Sequence, residues 1–204
     1  MIDQEIKYRP AYHDLVDYGK GYNEGAQIVF LNAAIRYYEY SNALELENLD
    51  IIDIVSISPR DDFFKPISWK VKTGFTQKVM EDGGTRLVYQ INPGGGFAWK
   101  SDIVGIWYLM METDLNIGGD SDNRYAVGIG ASTGFIKSMT EFWKIHIYAR
   151  NIYYALGDKH NAFEVSLLQN FSTSTDTSIS FEILRSEAYH HYNTEAKIYW
   201  NLFF

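Results

Sequence analysis

Ala196-Lys197-Ile198-Tyr199-Trp200-Asn201-Leu202-Phe203-Phe204 is the stretch whose reading decides the fold. Ala196, Ile198, Trp200, Leu202 and Phe204 fall on one face at a spacing of two, while Lys197 and Asn201 fall on the other. Such alternation marks a strand with one apolar and one wet face. The question it raises is which solvent meets the apolar face.

A strand of this kind, ending on an aromatic residue, resembles the closing strand of bacterial outer-membrane β-barrels. There the assembly machinery recognises the pattern, so Ile198, Trp200, Leu202 and Phe204 are the expected assembly signal. The composition agrees with that reading. Apolar residues make up 46% of the chain, yet the mean hydropathy is −0.24. The richest stretch, Ile103-Val104-Gly105-Ile106-Trp107-Tyr108-Leu109-Met110-Met111, is too short for a helix crossing a bilayer, which takes about 20 apolar residues. A closed barrel stays open as an answer, because lipid-facing and lumen-facing residues alternate and lower the average. Aromatic residues reach 16%, led by Tyr, as expected where one end of a side chain is apolar and the other wet. An aromatic-rich soluble β-sandwich is the competing fold.

Other properties exclude chemistry. The chain has no Cys, hence no disulfide framework, thiolate metal site or Cys nucleophile. A net charge of −8 argues against nucleic acid, which needs a basic footprint. Ile2-Asp3-Gln4-Glu5 is polar and acidic rather than a signal peptide. The expectation is therefore a mature form or an excised domain, with residues 1–204 forming one barrel domain.

Strand-like alternation recurs from about Glu5 onward. Tyr125, Val127, Ile129, Ala131, Thr133 and Phe135 form one face, against Ala126, Gly128, Gly130, Ser132 and Gly134 on the other. Small residues on one face suit a crowded lumen. Val29, Leu31, Ala33, Ile35 and Tyr37 oppose Asn32 and Arg36; Ile67, Trp69, Val71, Thr73 and Phe75 oppose Ser68, Lys70, Lys72 and Thr76. Trp143, Ile145, Ile147 and Ala149 oppose Lys144, His146, Tyr148 and Arg150; Ile179, Phe181 and Ile183 oppose Ser180 and Glu182. Phe163, Val165 and Leu167 begin cleanly but lose phase near Gln169. Ile103–Met111 is apolar on both faces, and Leu44–Ile57 is poorly phased. Pro10, Pro59, Pro66 and Pro93 are expected at strand ends or in connections.

The expected fold is all-β: an antiparallel transmembrane barrel of about ten to twelve strands. The visible count is about eleven, whereas bacterial single-chain barrels are even. Twelve strands in the intact protein, with one upstream of Met1, is the preferred solution. If the last strand ends in the periplasm, the Asn116–Asn123 loop is extracellular and the Lys137–Thr140 turn periplasmic. The same parity puts two long connections, Tyr12–Gly25 and Ser58–Pro66, on the periplasmic side.

Those connections carry Arg9-Pro10-Ala11-Tyr12-His13-Asp14-Leu15-Val16-Asp17 and Ser58-Pro59-Arg60-Asp61-Asp62-Phe63-Phe64-Lys65-Pro66-Ile67-Ser68-Trp69. With Gly25-Ala26-Gln27-Ile28-Val29-Phe30-Leu31 they resemble the C-terminal domain of a family of large bacterial envelope proteins. In that family the N-terminal periplasmic domain is related to lipoprotein N-acyltransferases and uses a cysteine. The resemblance implies a barrel tail without the catalytic part, and an extra strand before the Arg9–Asp14 segment. It also implies a periplasmic domain of the same protein as partner, beside outer-membrane lipid, lipopolysaccharide and the barrel assembly machinery.

Arg9, Tyr12, His13, Asp14, Arg60, Asp61 and Asp62 form an expected polar cluster on the periplasmic rim, whose Arg–carboxylate pairs would pin the two connections together or dock a periplasmic domain; a ligand or substrate site and, more rarely, a catalytic His13–Asp14 arrangement are the alternatives. His146 is read as a lumen residue, with a general base as the rarer alternative, and His190 and His191 as loop residues. Gly94-Gly95-Gly96 lacks the Lys and helix start of a phosphate loop, so it marks a strand kink or a close backbone approach. The acidic Asp120-Ser121-Asp122-Asn123 loop lacks calcium-loop spacing. No catalytic residue, metal or cofactor is expected. The expected role is a non-enzymatic outer-membrane anchor; the alternatives are a membrane-embedded enzyme acting on lipid A or phospholipid, and a barrel binding a small apolar ligand.

Overall fold

The computed structural model describes residues 4–8, 11–16, 25–39, 42–118, 124–174 and 177–202, with residues 11–13 as backbone. Arg9, Phe204 and the Asp120–Asn123 loop lie outside these residues. The fold is one antiparallel sheet, curled on itself, and no helix occurs among the described residues. Its strands are β1 (Gln4–Tyr8), β2 (Ala11–His13), β3 (Ala26–Tyr38), β4 (Ala43–Ser56), β5 (Ser68–Val79) and β6 (Thr85–Ser101). They continue as β7 (Gly105–Gly118), β8 (Tyr125–Ser138), β9 (Trp143–Gly157), β10 (His160–Ser172), β11 (Thr177–Ala188) and β12 (His191–Leu202).

From β3 onward each strand pairs with the next. β1 and β2 both pair with β3 in a single register, Tyr8 opposite Ala33 and Ala11 opposite Phe30, so together they act as one interrupted strand. The strand path is eleven positions wide.

Polarity is inverted relative to a water-soluble domain. Asn32, Arg36, Asp50, Gln90, Asn92, Glu112, Asp114, Asn116 and Asn170 are buried inside, while Phe97, Trp99, Trp107, Leu109, Met111, Ile129, Phe135 and Phe181 are exposed outside. Ile198, Trp200 and Leu202 stand on the outer face at 72%, 77% and 53% exposure. On β8 the two faces fall as the alternation predicts. The phase of β10 also holds through Gln169, which pairs with Ile145 and Phe181 without a register shift.

Two expectations need correction. Val29 is buried inside rather than sharing the outer face with Leu31. Leu31 has a positive φ of 54° and no ladder partner on β4, so both Phe30 and Leu31 are exposed and the phase flips between Val29 and Asn32. A non-glycine residue in this conformation is the mark of a local break in the ladder. Pro93 lies in the middle of β6, opposite Val71, not at a strand end. The ladder to β7 skips Asn92 and Pro93, and the Asn92 side-chain amide donates to the Thr113 carbonyl at 2.7 Å. That bond satisfies an acceptor beside a residue that has no N–H to give.

The lumen is divided along its axis. Near the end where β12 finishes, Leu15, Ile57, Ala98, Ile106, Tyr108, Met110 and Ile136 form an apolar cluster. Leu15 and Val16 thus fold inward from the first long connection as a plug, and the Asn170 amide fixes the Val16 carbonyl at 2.9 Å. The plug explains why the start of β7 is apolar on both faces: Trp107 and Leu109 face out, while Tyr108 and Met110 face the plug. Toward the other end the same strand turns Glu112, Asp114 and Asn116 inward. There the lumen opens into a cavity of about 1130 Å³.

Both long connections lie at the end where β12 finishes, and the turns at the opposite end, apart from that after β7, are short. The second connection also covers an edge. β5 begins opposite Gly96, leaving the rest of β6 without it; Pro59 bridges Ala98 there, and the Arg60 amide donates to the Ala98 carbonyl at 2.8 Å. Covering an exposed edge removes a site for unwanted pairing.

On the inner face of β8, Gly128 and Gly134 are spaces for neighbouring side chains, whereas Gly130 lies against the backbone of Asn151. A Cβ at Gly134 would meet the Tyr108 ring at 2.6 Å. Gly134→Val should therefore cost about 1–3 kcal/mol through overpacking. Urea unfolding in detergent micelles measures it, with Thr133→Val on the outer face as the contrast.

Candidate functional site

The polar layer above the plug is the chemically richest part of the chain. Lys70, Gly94, Glu112 and Gly130 are successive neighbours across β5, β6, β7 and β8. Gly94 leaves room for the Lys70 side chain to cross β6 to Glu112, while Arg150 reaches in from its place opposite the small Ser132. Lys70 Nζ approaches Oε1 at 2.9 Å, and Arg150 Nε of β9 approaches Oε2 at 2.9 Å. The Asn92 amide donates to Oε2 at 3.2 Å, and the Ser132 hydroxyl donates to Oε1.

Asp114, the next inward residue of β7, is held the same way across Gly128. Tyr154 of β9 donates its hydroxyl to Asp114 Oδ2, the Gln90 amide donates at 2.8 and 3.0 Å, and Arg150 Nη2 lies 3.2 Å away. Asn116 donates to the Tyr154 oxygen at 3.0 Å. Two acids and two bases are thus mutually neutralised in a buried layer. Carboxylates so placed are stable because each oxygen has a donor. This network runs along the inner face of β5 to β9; it offers no exposed nucleophile.

A second cluster joins the two ends of the sheet. Arg36 of β3 donates to Glu5 of β1 at 2.7 and 3.0 Å, and lies 3.1 Å from Glu47 and 3.3 Å from Glu195 of β12. Lys197 lies 2.8 Å from Glu195 and 3.9 Å from Glu5, and Lys7 sits 4.1 Å over the Tyr199 ring. A third cluster holds Asp50, which accepts from Asn32 at 2.7 Å and Asn48 at 2.8 Å and pairs with Lys72 at 3.1 Å.

Of the residues singled out from the sequence for the rim cluster, Asp14, Arg60, Asp61 and Asp62 have described side chains. Arg9 lies outside the described residues, and Tyr12 and His13 are placed as β2 backbone. Asp14 begins the plug, half-buried. Arg60 stacks over the Phe97 ring at 4.7 Å on the outer wall. Asp61 caps its own turn, accepting from the amides of Phe63 at 2.8 Å and Phe64. Asp62 is exposed. The two connections do meet, but through Leu15 and Ile57 in the apolar cluster. His146 shares a hydrogen bond of 2.9 Å with the Tyr108 hydroxyl inside the lumen. His190 is exposed, and His191 Nε2 donates to the Glu81 carbonyl at 3.0 Å across the cavity mouth.

Glu112, Asp114 and Tyr154 escaped sequence reading, and Arg36 was placed on an inner face without its partners. The signal for the first three was present in β8, where Gly128 and Gly134 mark crossings between β7 and β9. Removing Glu112 leaves Lys70 and Arg150 buried without their shared partner. Glu112→Ala should cost about 3–5 kcal/mol, and adding Lys70→Met should restore part of it. Urea unfolding of the single and double variants measures both, and additive losses would deny the coupling.

The comparisons add a family. No curated protein matches the chain at a significant level. The model of a family described as a domain of unknown function, DUF7840, matches residues 3–203. A match over nearly every residue means that the chain, with its curled sheet and charge-filled interior, belongs to the DUF7840 family.

Proposed function

We infer that the chain is an outer-membrane β-barrel that anchors a periplasmic domain at the membrane and has no catalytic activity of its own. The observation that carries this reading is the inverted polarity: charged residues inside, a continuous apolar wall outside. Water would leave that wall with a large hydrocarbon–water contact, whereas lipid removes it. Aromatic rings gather on the wall near the end where β12 finishes. Trp99 stacks on Trp107 at 4.8 Å, Trp107 lies 6.2 Å from Phe135, and Trp143 stacks on Phe171 at 5.5 Å. Such rings suit the boundary between acyl chains and headgroups.

Parity supports a barrel of twelve strands in the intact protein. With eleven positions in an antiparallel path, β1 and β12 run parallel to each other. Their inward side chains touch, yet no ladder joins them among the described residues. One further strand, antiparallel to both, completes an even and closed wall, as lipid requires of every backbone group. The resemblance in the Arg9–Asp14 segment points to an upstream source for it, and for the periplasmic domain that the barrel holds.

The apolar cluster around Leu15 and the buried charged layer occupy the described interior, which fits an anchor better than a pore. The cavity lining sets Arg36, Glu47, Lys78 and Glu195 among apolar and aromatic side chains, and those charges weigh against a small apolar ligand. In vesicles the folded barrel should migrate faster on gels before boiling than after. Met111→Arg on the outer wall decides the solvent: it should cost about 2–4 kcal/mol in a bilayer. A change within about 0.5 kcal/mol, as expected for a water-exposed site, would sink the membrane reading.

A further inference from the structure

The second long connection ends in an exposed pair, Phe63 at 91% and Phe64 at 74%, that neither the sheet nor the plug uses. Adjacent exposed phenylalanines are costly in water unless something covers them. Here they are displayed by a built turn. Asp61 accepts from the amides of both phenylalanines, while its own amide donates to the Phe64 carbonyl at 2.9 Å.

The turn is fastened to the wall. Pro59 bridges Ala98 of β6, the Arg60 amide binds the Ala98 carbonyl, and the Arg60 guanidinium lies over Phe97, an outward-facing ring. Exposed Ile67 follows in sequence, and Trp69 continues the outer face. On the same end of the wall, Trp99, Val104, Trp107 and Phe135 line a shallow groove of about 400 Å³, with Lys100 at its rim. Exposed apolar side chains therefore stand both on the aromatic wall and at the Phe63–Phe64 tip, with Arg60 and the exposed Asp62 between them, and Lys65 beside the tip is exposed.

We propose that the Ser58–Ile67 connection is a lipid foot: Phe63 and Phe64 insert among the phospholipids of the leaflet at the end where β12 finishes, with Lys65 at phosphate level. The occupant is phospholipid rather than a docked protein because the turn is bonded to the outer wall, at the end where that wall carries its aromatic rings. This rests on the membrane reading above. Aromatic and basic side chains side by side are the usual composition of a segment lying in the headgroup region.

The absence of Cys permits a direct test. Single-cysteine variants Phe63→Cys and Phe64→Cys carry an environment-sensitive fluorophore, and the barrel is inserted into phosphatidylethanolamine–phosphatidylglycerol vesicles with brominated acyl chains. Met111→Cys marks the wall and Lys159→Cys the far turn. The labels at 63 and 64 should be quenched by bromine, less than at 111 and well above 159. If they match 159 while 111 is quenched, the barrel stands and the foot is overturned. The foot is equally overturned if they are shielded from water yet untouched by bromine, the signature of a protein partner. An unquenched label at 111 overturns the membrane reading itself.

Discussion

A carboxylate with no access to bulk water must find its donors inside the wall, and the lumen of this protein is organised around that demand. Glu112 meets it through Lys70 and Arg150, each two strands away. Side chains directly opposite on neighbouring strands sit about 5 Å apart, so a partner two strands off is reached where the position between carries little or no side chain. Gly94 is that position for Lys70, and the small Ser132 is the one that Arg150 stands opposite. The arrangement repeats at Gly128, over which Tyr154 reaches Asp114, and at Gly134, which makes room for Tyr108. Glycines that weaken a strand locally are here the condition for cross-linking β7 to β9.

That cross-linked layer divides the interior. Below it the plug residues Leu15 and Val16 fill the lumen with apolar contacts, and above it the cavity is lined by charge. Strand β7 passes through both zones, so its inward face changes from Ile106, Tyr108 and Met110 to Glu112, Asp114 and Asn116. Its outward face is mostly apolar, from Trp107 to Ile117. The inner face follows the local contents of the lumen; the outer face follows a single surrounding medium.

The two long connections serve this division. One delivers the plug, the other covers the free edge of β6 and ends at the wall. Arg60 illustrates the difference. A guanidinium next to Asp61 and Asp62 in sequence suggests a carboxylate partner, but both lie on a tight turn whose geometry commits Asp61 to the backbone. The guanidinium spreads instead on an aromatic face, an attraction available wherever Arg meets an exposed ring.

By itself the sequence determined the all-β architecture and the assignment of most residues to an inner or outer face. Alternation needs nothing but the pleat of a strand, and it carries through β8, through Ser178–Arg185 of β11 and through Glu195–Leu202 of β12. It also singled out Gly94–Gly96 as a place of close approach, which the Cβ contacts at Gly96 bear out. Tertiary structure alone decided which charges pair, that Leu15 fills the lumen, and that Leu31 and Pro93 lie at breaks in their ladders. The reason is physical. Facing is a property of one strand read locally, whereas pairing depends on registers that accumulate across several strands and on which positions lack a Cβ.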